Sequence, residues 1–404
     1  MAQLWGGAML QSVGKAWRIL GREGVSGAMN RVRHRRDGVL LSDPGNRPER
    51  CFVLLGEGVL KTQFRTELKR RHLLSKAEGP KAAQKIVFNP LPTEFDDTSI
   101  AAAVLDEDYL NRIRPEDHEI LQGIASGCAL IVTSDAALRR ALALGAALRD
   151  ISIVPQSAKR AAIRLAIGRW LVYAGLMPPE TYLDDLLAFA PPIRSRGRVC
   201  ISLPEYLDRR EGFLDGNAGN FAMFNGIRML PAWKGCAWSY KAIATKALQS
   251  GARRLTICED DAFFGADFQQ YFNAVNRYLD RADWDVFNGV MTRIEGRPEI
   301  MMRRKLGANH IIHTPHMMGM VFNVYNRTAL EWIADWDPQG GGAQTNTIDE
   351  WLNAMPGLKV VSAVPFLAGH REDAHSTIFG FKNTRYSGMI RATEREILAL
   401  VDPA

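Results

Sequence analysis

The chain has 404 residues and a net charge of +7, a length that is too great for one compact core and typical of two domains. Apolar residues make up 47% of it and charged residues 24%, which excludes a disordered or fibrous protein, and no apolar run reaches the ~18–20 residues of a membrane span. Five scattered cysteines without a Cys-x-x-Cys pair argue against a disulfide framework or structural zinc site, and no secretory signal pattern is present, so a cytoplasmic location is expected.

Most of the net charge lies in residues 1–36, which carry seven basic residues and one acidic residue. Apolar residues recur there at helical spacing: Trp5, Met9, Val13, Trp17 and Leu20. We therefore expect a basic amphipathic segment over residues 1–45. Such a helix would either lie on the anionic inner face of a membrane or pack against the protein's own body. The rest of the chain is nearly neutral, which argues against nucleic-acid binding.

Residues 46–192 alternate short apolar runs with helical stretches, a pattern typical of a parallel sheet covered on both faces. The runs are Cys51–Leu55, Lys85–Phe88, Cys128–Thr133 and Ile151–Val154. Ser134 follows the third run and is expected to cap a helix. Proline pairs and arginines between 176 and 198 indicate a linker, with the boundary near 192. We expect a Rossmann-like α/β domain over 46–192 and a second α/β domain over 193–404.

The second half of the chain again alternates strands with helices. Strands are expected at 199–203, 255–258, 284–287, 318–325 and 359–364. Helices are expected at 235–250, from Asp267, at 327–334, and after a capping box formed by Thr347 and Glu350. The polar and basic stretch that ends near 316 has no clear periodicity, so no regular element is expected in it.

Three consecutive acids, Glu259, Asp260 and Asp261, directly follow the apolar run 255–258. Adjacent carboxylates repel each other, and a cation offsets that repulsion. The carboxyl ends of strands are where open α/β sheets place their ligands. Hard oxygen ligands suit Mg²⁺ or Mn²⁺, which commonly bridge to a diphosphate. The acids therefore indicate a metal–nucleotide site, the alternative being an acidic turn on the surface.

Four short motifs occur in order over residues 199–380. They are Ile201-Ser202-Leu203 with Arg209-Arg210; Gly235-Cys236-Ala237-Trp238-Ser239-Tyr240; Leu255 to Ala262 with its three acids; and Asp349 followed by Pro365, His370 and Ser376-Thr377-Ile378. Their order resembles glycosyltransferase family 25, the lipopolysaccharide-type and collagen-type galactosyl- or glucosyltransferases. Tyr240, His370 and Thr377 replace the family's histidine, glutamine and aspartate. The resemblance implies a GT-A-type nucleotide-sugar-binding domain over 193–404.

The resemblance implies an inverting transfer of galactose or glucose from a UDP-sugar, with Mn²⁺ or Mg²⁺, to a surface-glycan or lipid-linked saccharide acceptor. It implies a direct metal contact from Asp261, with Glu259 or Asp260 in contact with the ribose or with waters of the metal. His370 is the candidate for a further metal ligand or a diphosphate contact, as in GT-A enzymes generally, the alternative being an exposed loop histidine. Contacts with the nucleotide sugar are expected from Arg209, Arg210, Ser239, Tyr240, Glu259 and Asp260. An inverting transfer also needs a general base for the acceptor hydroxyl, for which Asp349 is the candidate and Glu350 the alternative.

Two other functions remain open on the sequence. A non-catalytic scaffold would bind a glycan or a nucleotide sugar without turning it over. A metal-dependent phosphoryl- or nucleotidyltransferase would use the same acids but release phosphate or pyrophosphate. The sequence Gly-x-x-x-x-Gly-Lys-Ser/Thr does not occur, which argues against a P-loop kinase.

Overall fold

The computed structural model describes most of residues 129–401 and a few short pieces before them. The gaps after 129 are 145–147, 149–150, 156–158, 176, 217–219, 293–298, 308 and 379–381, and the earlier pieces are 52–53, 63, 66–67, 70, 86–87, 102–105 and 110–111. The amphipathic segment expected over residues 1–45 lies outside the described residues, so its membrane contact stays a prediction. Within the described part, no helix is long and apolar enough to cross a membrane.

Parallel strand pairs form the first part of the described chain, as the alternation of apolar runs predicted. The strands are β1 (Phe52–Val53), β2 (Ile86–Val87), β3 (Ala102–Leu105), β4 (Ala129–Val132) and β5 (Ile151–Ile153). Strands β1 and β2 pair in parallel, and β3, β4 and β5 form a separate parallel sheet. Strand β3 was not expected from the sequence.

Among the described residues, the helices with complete bounds in this part are α1 (Asp135–Ala143), α2 (Arg160–Tyr173) and α3 (Pro179–Phe189). The predicted cap of α1 is confirmed, because Ser134 Oγ accepts a hydrogen bond from the Ala137 amide at 3.0 Å. Helix α3 begins with a proline, which fits the first turn of a helix because the amide it lacks has no intrahelical partner.

An eight-stranded mixed sheet forms the second part of the chain. Its strands are β6 (Gly197–Ser202), β7 (Ala222–Asn225), β8 (Arg254–Glu259), β10 (Val286–Asn288), β11 (Met302–Leu306), β12 (Asn309–Thr314), β13 (Phe322–Asn326) and β14 (Val360–Val364). Their spatial order is β11-β12-β14-β10-β13-β8-β6-β7. Strands β6, β7 and β8 run parallel, and β13 is antiparallel to both β8 and β10. The protein is therefore an α/β protein with a mixed sheet.

Helices and a short ribbon complete the described residues of this part. The helices are α4 (Leu207–Asp215), α5 (Ala232–Gln249), α6 (Phe268–Leu279), α7 (Arg327–Ala334), α8 (Ile348–Asn353) and α9 (Thr384–Val401). The antiparallel ribbon pairs β9 (Ala262–Phe264) with β15 (Ala368–His370). The expectation of no regular element before 316 was wrong, because β11 and β12 form a hairpin there. Strand β11 is a basic, exposed edge strand, so it lacks the alternation that marks a half-buried strand.

Side chains from both sides of the boundary predicted near 192 contribute to one hydrophobic core. This core includes Ile163 and Trp170 of α2 together with Trp238 and Ile243 of α5. Trp238 packs edge-to-face against Trp336 at a centroid distance of 5.7 Å. The division into domains over 46–192 and 193–404 stays a prediction.

Candidate functional site

The acidic residues lie at the carboxyl end of a strand inside the large sheet. Strand β8 is flanked by β13 and β6, and its residues from Leu255 to Cys258 are buried. It ends at Glu259, and Asp260 and Asp261 form the turn into β9. Both aspartates are only 3% exposed. Asp260 and Asp261 are therefore buried at the carboxyl end of β8, and the turn that they form is not on the protein surface.

Arg209 of helix α4 binds both aspartates from one side. Its Nε donates to Asp260 Oδ1 at 2.8 Å, and its Nη2 donates to the same oxygen and lies 3.2 Å from Asp261 Oδ2. Its Nη1 donates to the backbone carbonyl of His375 at 2.6 Å. Burial alone would lower the pKa of Arg209, but the charges of Asp261 and Asp260 raise it. Each nitrogen of this guanidinium thus binds a protein oxygen, and the contact with a nucleotide sugar expected of Arg209 stays a prediction.

The two carboxylate oxygens of Asp261 have different environments. Oδ2 accepts a hydrogen bond from Asn383 Nδ2 at 2.9 Å and also faces Arg209. Oδ1 is buried and has no hydrogen-bond partner among the described residues. Burial alone would raise the pKa of Asp261, but Arg209, His370 and Asn383 together lower it. Asp261 therefore offers one charged oxygen that no described side chain satisfies.

His370 lies beside Asp261 because the β9–β15 ribbon pairs it with Ala262. Its Nδ1 is 3.7 Å from Asp261 Oδ2, its side chain is 4% exposed, and its ring stacks on Tyr386 at 5.0 Å. Within the described part of the chain, neither ring nitrogen has a hydrogen-bond partner. Burial, and to a smaller extent Arg209, lowers the pKa of His370 although Asp261 raises it. Burial therefore favours the neutral form of the ring, which is the form in which imidazole binds metals.

Glu259 adds a third carboxyl group that is poorly solvated. Its pKa is raised to about 8, first by burial and then by the charge of Asp261. Cys236 of helix α5 lies next to it, with Sγ 3.8 Å from Glu259 Oε1. Burial, followed by the charge of Glu259, raises the pKa of Cys236 well above its usual value. The site thus contains more acidic than basic groups.

Asp349 lies in the first turn of α8 and is close enough to act on the acids. Its charge contributes to the raised pKa values of Glu259 and Cys236. Asp349 Oδ2 accepts a hydrogen bond from the Gly319 amide and Oδ1 accepts one from the Glu350 amide, both at 3.2 Å. The structure therefore brings Asp349 toward Glu259 and Cys236.

The predicted capping box at the start of α8 is wrong. Thr347 has the extended backbone of a cap, but its side chain makes no capping hydrogen bond. The Glu350 amide, which a capping threonine would bind, donates to Asp349 Oδ1. The helix nevertheless begins at Ile348, as expected. Glu350 stays the alternative to Asp349 as a general base.

Three other residues expected to contact the nucleotide sugar make structural contacts. Ser239 Oγ accepts from the Ile227 amide and donates to the Gly235 carbonyl, both at 2.7 Å. Tyr240 is fully buried, and its hydroxyl donates to the Met320 carbonyl at 2.8 Å. Arg210 Nη1 donates to Asn225 Oδ1 at 2.9 Å. Their roles toward a nucleotide sugar stay predictions.

The sequence reasoning missed two contributors that follow His370. Asn383 immediately precedes α9 and binds Asp261 directly. The Arg371 amide donates to the Asp261 carbonyl at 2.7 Å. No motif marks Asn383, because a single asparagine outside a recognised element has no local signal. The motif over 365–378 pointed to the stretch that contains Arg371, but it does not reach Asn383.

The residues present fit a divalent metal ion whose coordination shell is completed by waters or by phosphate oxygens of a bound ligand. Among the described residues, no three histidines, cysteines or acids are grouped as ligands of one ion. Asp261 Oδ1 and the unpartnered nitrogens of His370 nevertheless supply two donors. Mg²⁺ and Mn²⁺ in phosphate-binding sites commonly take only one or two carboxylates from the protein, with waters and phosphate oxygens completing the shell. Two protein donors are therefore enough for such an ion.

Comparison with known proteins does not assign the chain to a family. No family model matches it, and no curated protein matches it. Among solved structures, A197 from STIV is similar with a TM-score of 0.27 and 14% identity, over 43% of this chain and 85% of that one. UDP-glucose pyrophosphorylase complexed with UDP-glucose has a TM-score of 0.27 and 9% identity, over 86% of this chain and 99% of that one. At these TM-scores the similarities support no argument, so function must be argued from the site.

Proposed function

We propose that the protein is a metal-dependent inverting glycosyltransferase that transfers a hexose, galactose or glucose, from a UDP-sugar to a saccharide acceptor. One observation carries this proposal. Among the described residues, Oδ1 of buried Asp261 has no hydrogen-bond partner, and it belongs to a carboxylate that lies beside the equally unpartnered imidazole of His370. Buried charge without compensation is costly, and functional sites are where such cost is retained. The family 25 resemblance of the motifs adds independent support for a nucleotide-sugar substrate.

The residues of this site have different roles in the proposed reaction. Arg209 compensates Asp260 and fixes it in place, so Asp260 orients the site more than it binds substrate. Asp261 and His370 would hold the divalent ion. Glu259, for which the resemblance implies a metal contact, is not grouped with them as a third ligand among the described residues. A bound Mn²⁺ or Mg²⁺ would supply the positive charge that stabilises the departing diphosphate. The buried surroundings strengthen these electrostatic interactions because water screens them less.

Asp349 is the proposed general base. Both of its oxygens accept backbone hydrogen bonds, from Gly319 and Glu350, which fix the direction of the carboxylate. It lies in the first turn of α8, close enough to Glu259 for its charge to raise the pKa of that residue. A carboxylate fixed in this position would accept the proton of the acceptor hydroxyl as that oxygen attacks the sugar.

The acceptor in this proposal is a surface glycan or a lipid-linked saccharide on the cytoplasmic side of a membrane. The +6 charge of residues 1–36 would hold the enzyme at an anionic membrane face. This part of the proposal rests on the sequence, and vesicle sedimentation of the full chain against a chain that begins at residue 46 tests it. Equal sedimentation of both chains with anionic vesicles would contradict it.

Binding of the donor is tested by thermal unfolding of the full chain with UDP-, GDP- and CMP-sugars, with and without MnCl₂. A ligand present at 100 times its Kd stabilises the native state by about 2.7 kcal/mol. We expect a Mn²⁺-dependent rise in Tm with one UDP-sugar, and loss of that rise in Asp261→Asn. Asp283→Asn is the matched control, because Asp283 is an exposed carboxylate paired with Lys359. No rise with any nucleotide sugar for the folded protein would contradict the proposal.

Turnover separates the proposed transferase from the other functions. Release of UDP from the bound donor, dependent on Mn²⁺ and abolished by Asp349→Asn, is the expected result. Donor binding without release of UDP would instead indicate a scaffold. Release of pyrophosphate or phosphate would indicate a nucleotidyl- or phosphoryltransferase that uses the same acids.

A further inference from the structure

The side chains around Asp261 contain an unusual group of unsatisfied atoms. Asp261 Oδ1, both ring nitrogens of His370 and Asn383 Oδ1 are buried without a hydrogen-bond partner among the residues that the structure describes. Nearly all buried polar groups in proteins are paired. Asn383 Nδ2 is 2.9 Å and His370 Nδ1 is 3.7 Å from Asp261 Oδ2, so these atoms belong to one cluster.

We propose that Asn383 is a positioning residue that selects which oxygen of Asp261 binds the divalent ion. This inference rests on the proposed function and deepens it. A carboxylate oxygen only accepts hydrogen bonds, so the atom of Asn383 that faces Asp261 Oδ2 is the amide nitrogen. Arg209 approaches the same oxygen at 3.2 Å. Two donors therefore hold Oδ2, and Oδ1 is left for the cation.

The amide of Asn383 has a second group to contribute. With its nitrogen bound to Asp261, its Oδ1 is left as a buried acceptor without a described partner. Waters bound to a divalent cation are strong donors and need such acceptors. Groups that orient a metal ligand in this way typically change metal affinity by about 10–100-fold when they are mutated.

The backbone of Asn383 makes the hydrogen bonds that connect the start of α9 to the residues around it. Its amide donates to the Ala374 carbonyl at 2.9 Å, and its carbonyl accepts from the Ser387 amide at 3.1 Å. These bonds do not involve the side chain. The side chain of Asn383 is completely buried, and among the described residues its hydrogen bond is the one to Asp261 Oδ2. This argues that the side chain orients that carboxylate.

The test measures binding of Mn²⁺ to the full chain by electron paramagnetic resonance of free Mn²⁺, with and without UDP. For Asn383→Ala we expect a Kd for Mn²⁺ that is about 10–100-fold higher than that of the wild type. Ser387→Ala is the matched control, because Ser387 is also buried in the first turn of α9 and its hydroxyl bonds to the Asn383 backbone carbonyl and to the Glu372 carboxylate, neither of which is a proposed metal ligand. Its Kd should equal that of the wild type.

Metal affinity and thermal stability must be measured on the same samples. A Tm lowered in Asn383→Ala with an unchanged Kd for Mn²⁺ would overturn the inference, because the side chain would then be purely structural. Asn383→Ser, whose hydroxyl is too short to replace the amide contact, gives the same comparison if the alanine variant does not fold. Failure of the wild type to bind Mn²⁺ in the presence of UDP would overturn both this inference and the proposed function. Wild-type binding with unchanged affinity in both variants would overturn this inference alone.

Discussion

Two buried arginine–carboxylate centres in this protein differ in how completely they are satisfied. In the first, Arg169 of α2 binds both oxygens of Glu205 and also donates to the Gly226 carbonyl at 2.7 Å. Glu205 Oε1 also accepts from the Ile153 amide at 3.1 Å. In the second, Arg209 binds both Asp260 and Asp261, and an oxygen of Asp261 is unpartnered within the described residues.

The balance of charge distinguishes the structural ion pair at Arg169 from the candidate functional site at Arg209. At the Arg169–Glu205 centre, a single carboxylate binds Arg169 and is also close enough to Arg228 for that charge to lower its pKa. The hydrogen bonds join α2 to β5 and to the loops that follow β6 and β7. At the Arg209 centre, a single arginine meets the three acids of Glu259–Asp261, and two of them have raised pKa values because of burial. The first centre is a structural ion pair, and the second is the place where we propose that an additional cation binds.

The largest expected effect on stability is at the Arg169–Glu205 centre. Arg169→Met would leave Glu205 buried without its partner, which costs about 3–5 kcal/mol. The measurement is urea unfolding at pH 7. The double variant Arg169→Met/Glu205→Leu should recover part of that loss, because it removes both charges. A loss below about 1 kcal/mol for the single variant would contradict the view that this centre joins the two parts of the chain.

Arg209→Met should cost less, about 1–3 kcal/mol, because carboxyl groups that lose their partner can take up protons. Unlike the first variant, it should recover stability on addition of MnCl₂, since a cation bound to the native acids stabilises them by mass action. Urea unfolding of both variants with and without MnCl₂ gives the comparison. Recovery of Arg169→Met to the same extent, or of neither variant, would remove the distinction between the two centres.

Local patterns in the sequence predicted the elements that carry the acids. A buried apolar strand followed by acids was expected at 255–261, and α7 was expected over the residues that it occupies, 327–334. Ser134 caps α1 as predicted. These features depend on neighbouring residues, so alternation, helical spacing and capping are sufficient to find them.

The contacts that complete the site depend on residues that are distant in the sequence. Asn383 meets Asp261 across a separation of 122 residues, and Arg209 meets Asp260 across 51. Neither contact leaves a periodic pattern in one sequence. The prediction that Arg209 contacts a nucleotide sugar came from a motif, which identifies a residue near the site but not which of its neighbours it binds.

The pH dependence of stability should separate a buried pair from an exposed one. Burial alone would raise the pKa of Glu205, but Arg169 lowers it below its usual value of 4.5. The stability from this shift is present in full above about pH 4.5 and is lost as the pH falls through the lower, native pKa, at about 1.4 kcal/mol per pKa unit.

Urea unfolding of the wild type and Glu205→Gln between pH 7 and pH 3.5 measures this contribution. The difference in free energy of unfolding should be greatest at pH 7 and shrink below pH 4.5. Glu211→Gln is the control, because Glu211 pairs with Arg139 in an exposed contact and should give no measurable difference at any pH. If the difference in free energy of unfolding between the wild type and Glu205→Gln stays constant with pH, Arg169 does not lower the pKa of Glu205.

The smallest expected effect is at Tyr240, which the family resemblance places near the nucleotide sugar. Its hydroxyl is buried and donates to the Met320 carbonyl, and its ring meets Tyr325 edge-to-face at 6.3 Å. Tyr240→Phe removes one internal hydrogen bond and should lower the free energy of unfolding by about 1 kcal/mol. The KM for the UDP-sugar should not change, because the hydroxyl already has a protein partner. A raised KM with unchanged stability would show instead that the hydroxyl leaves Met320 to bind the donor, as the resemblance implies.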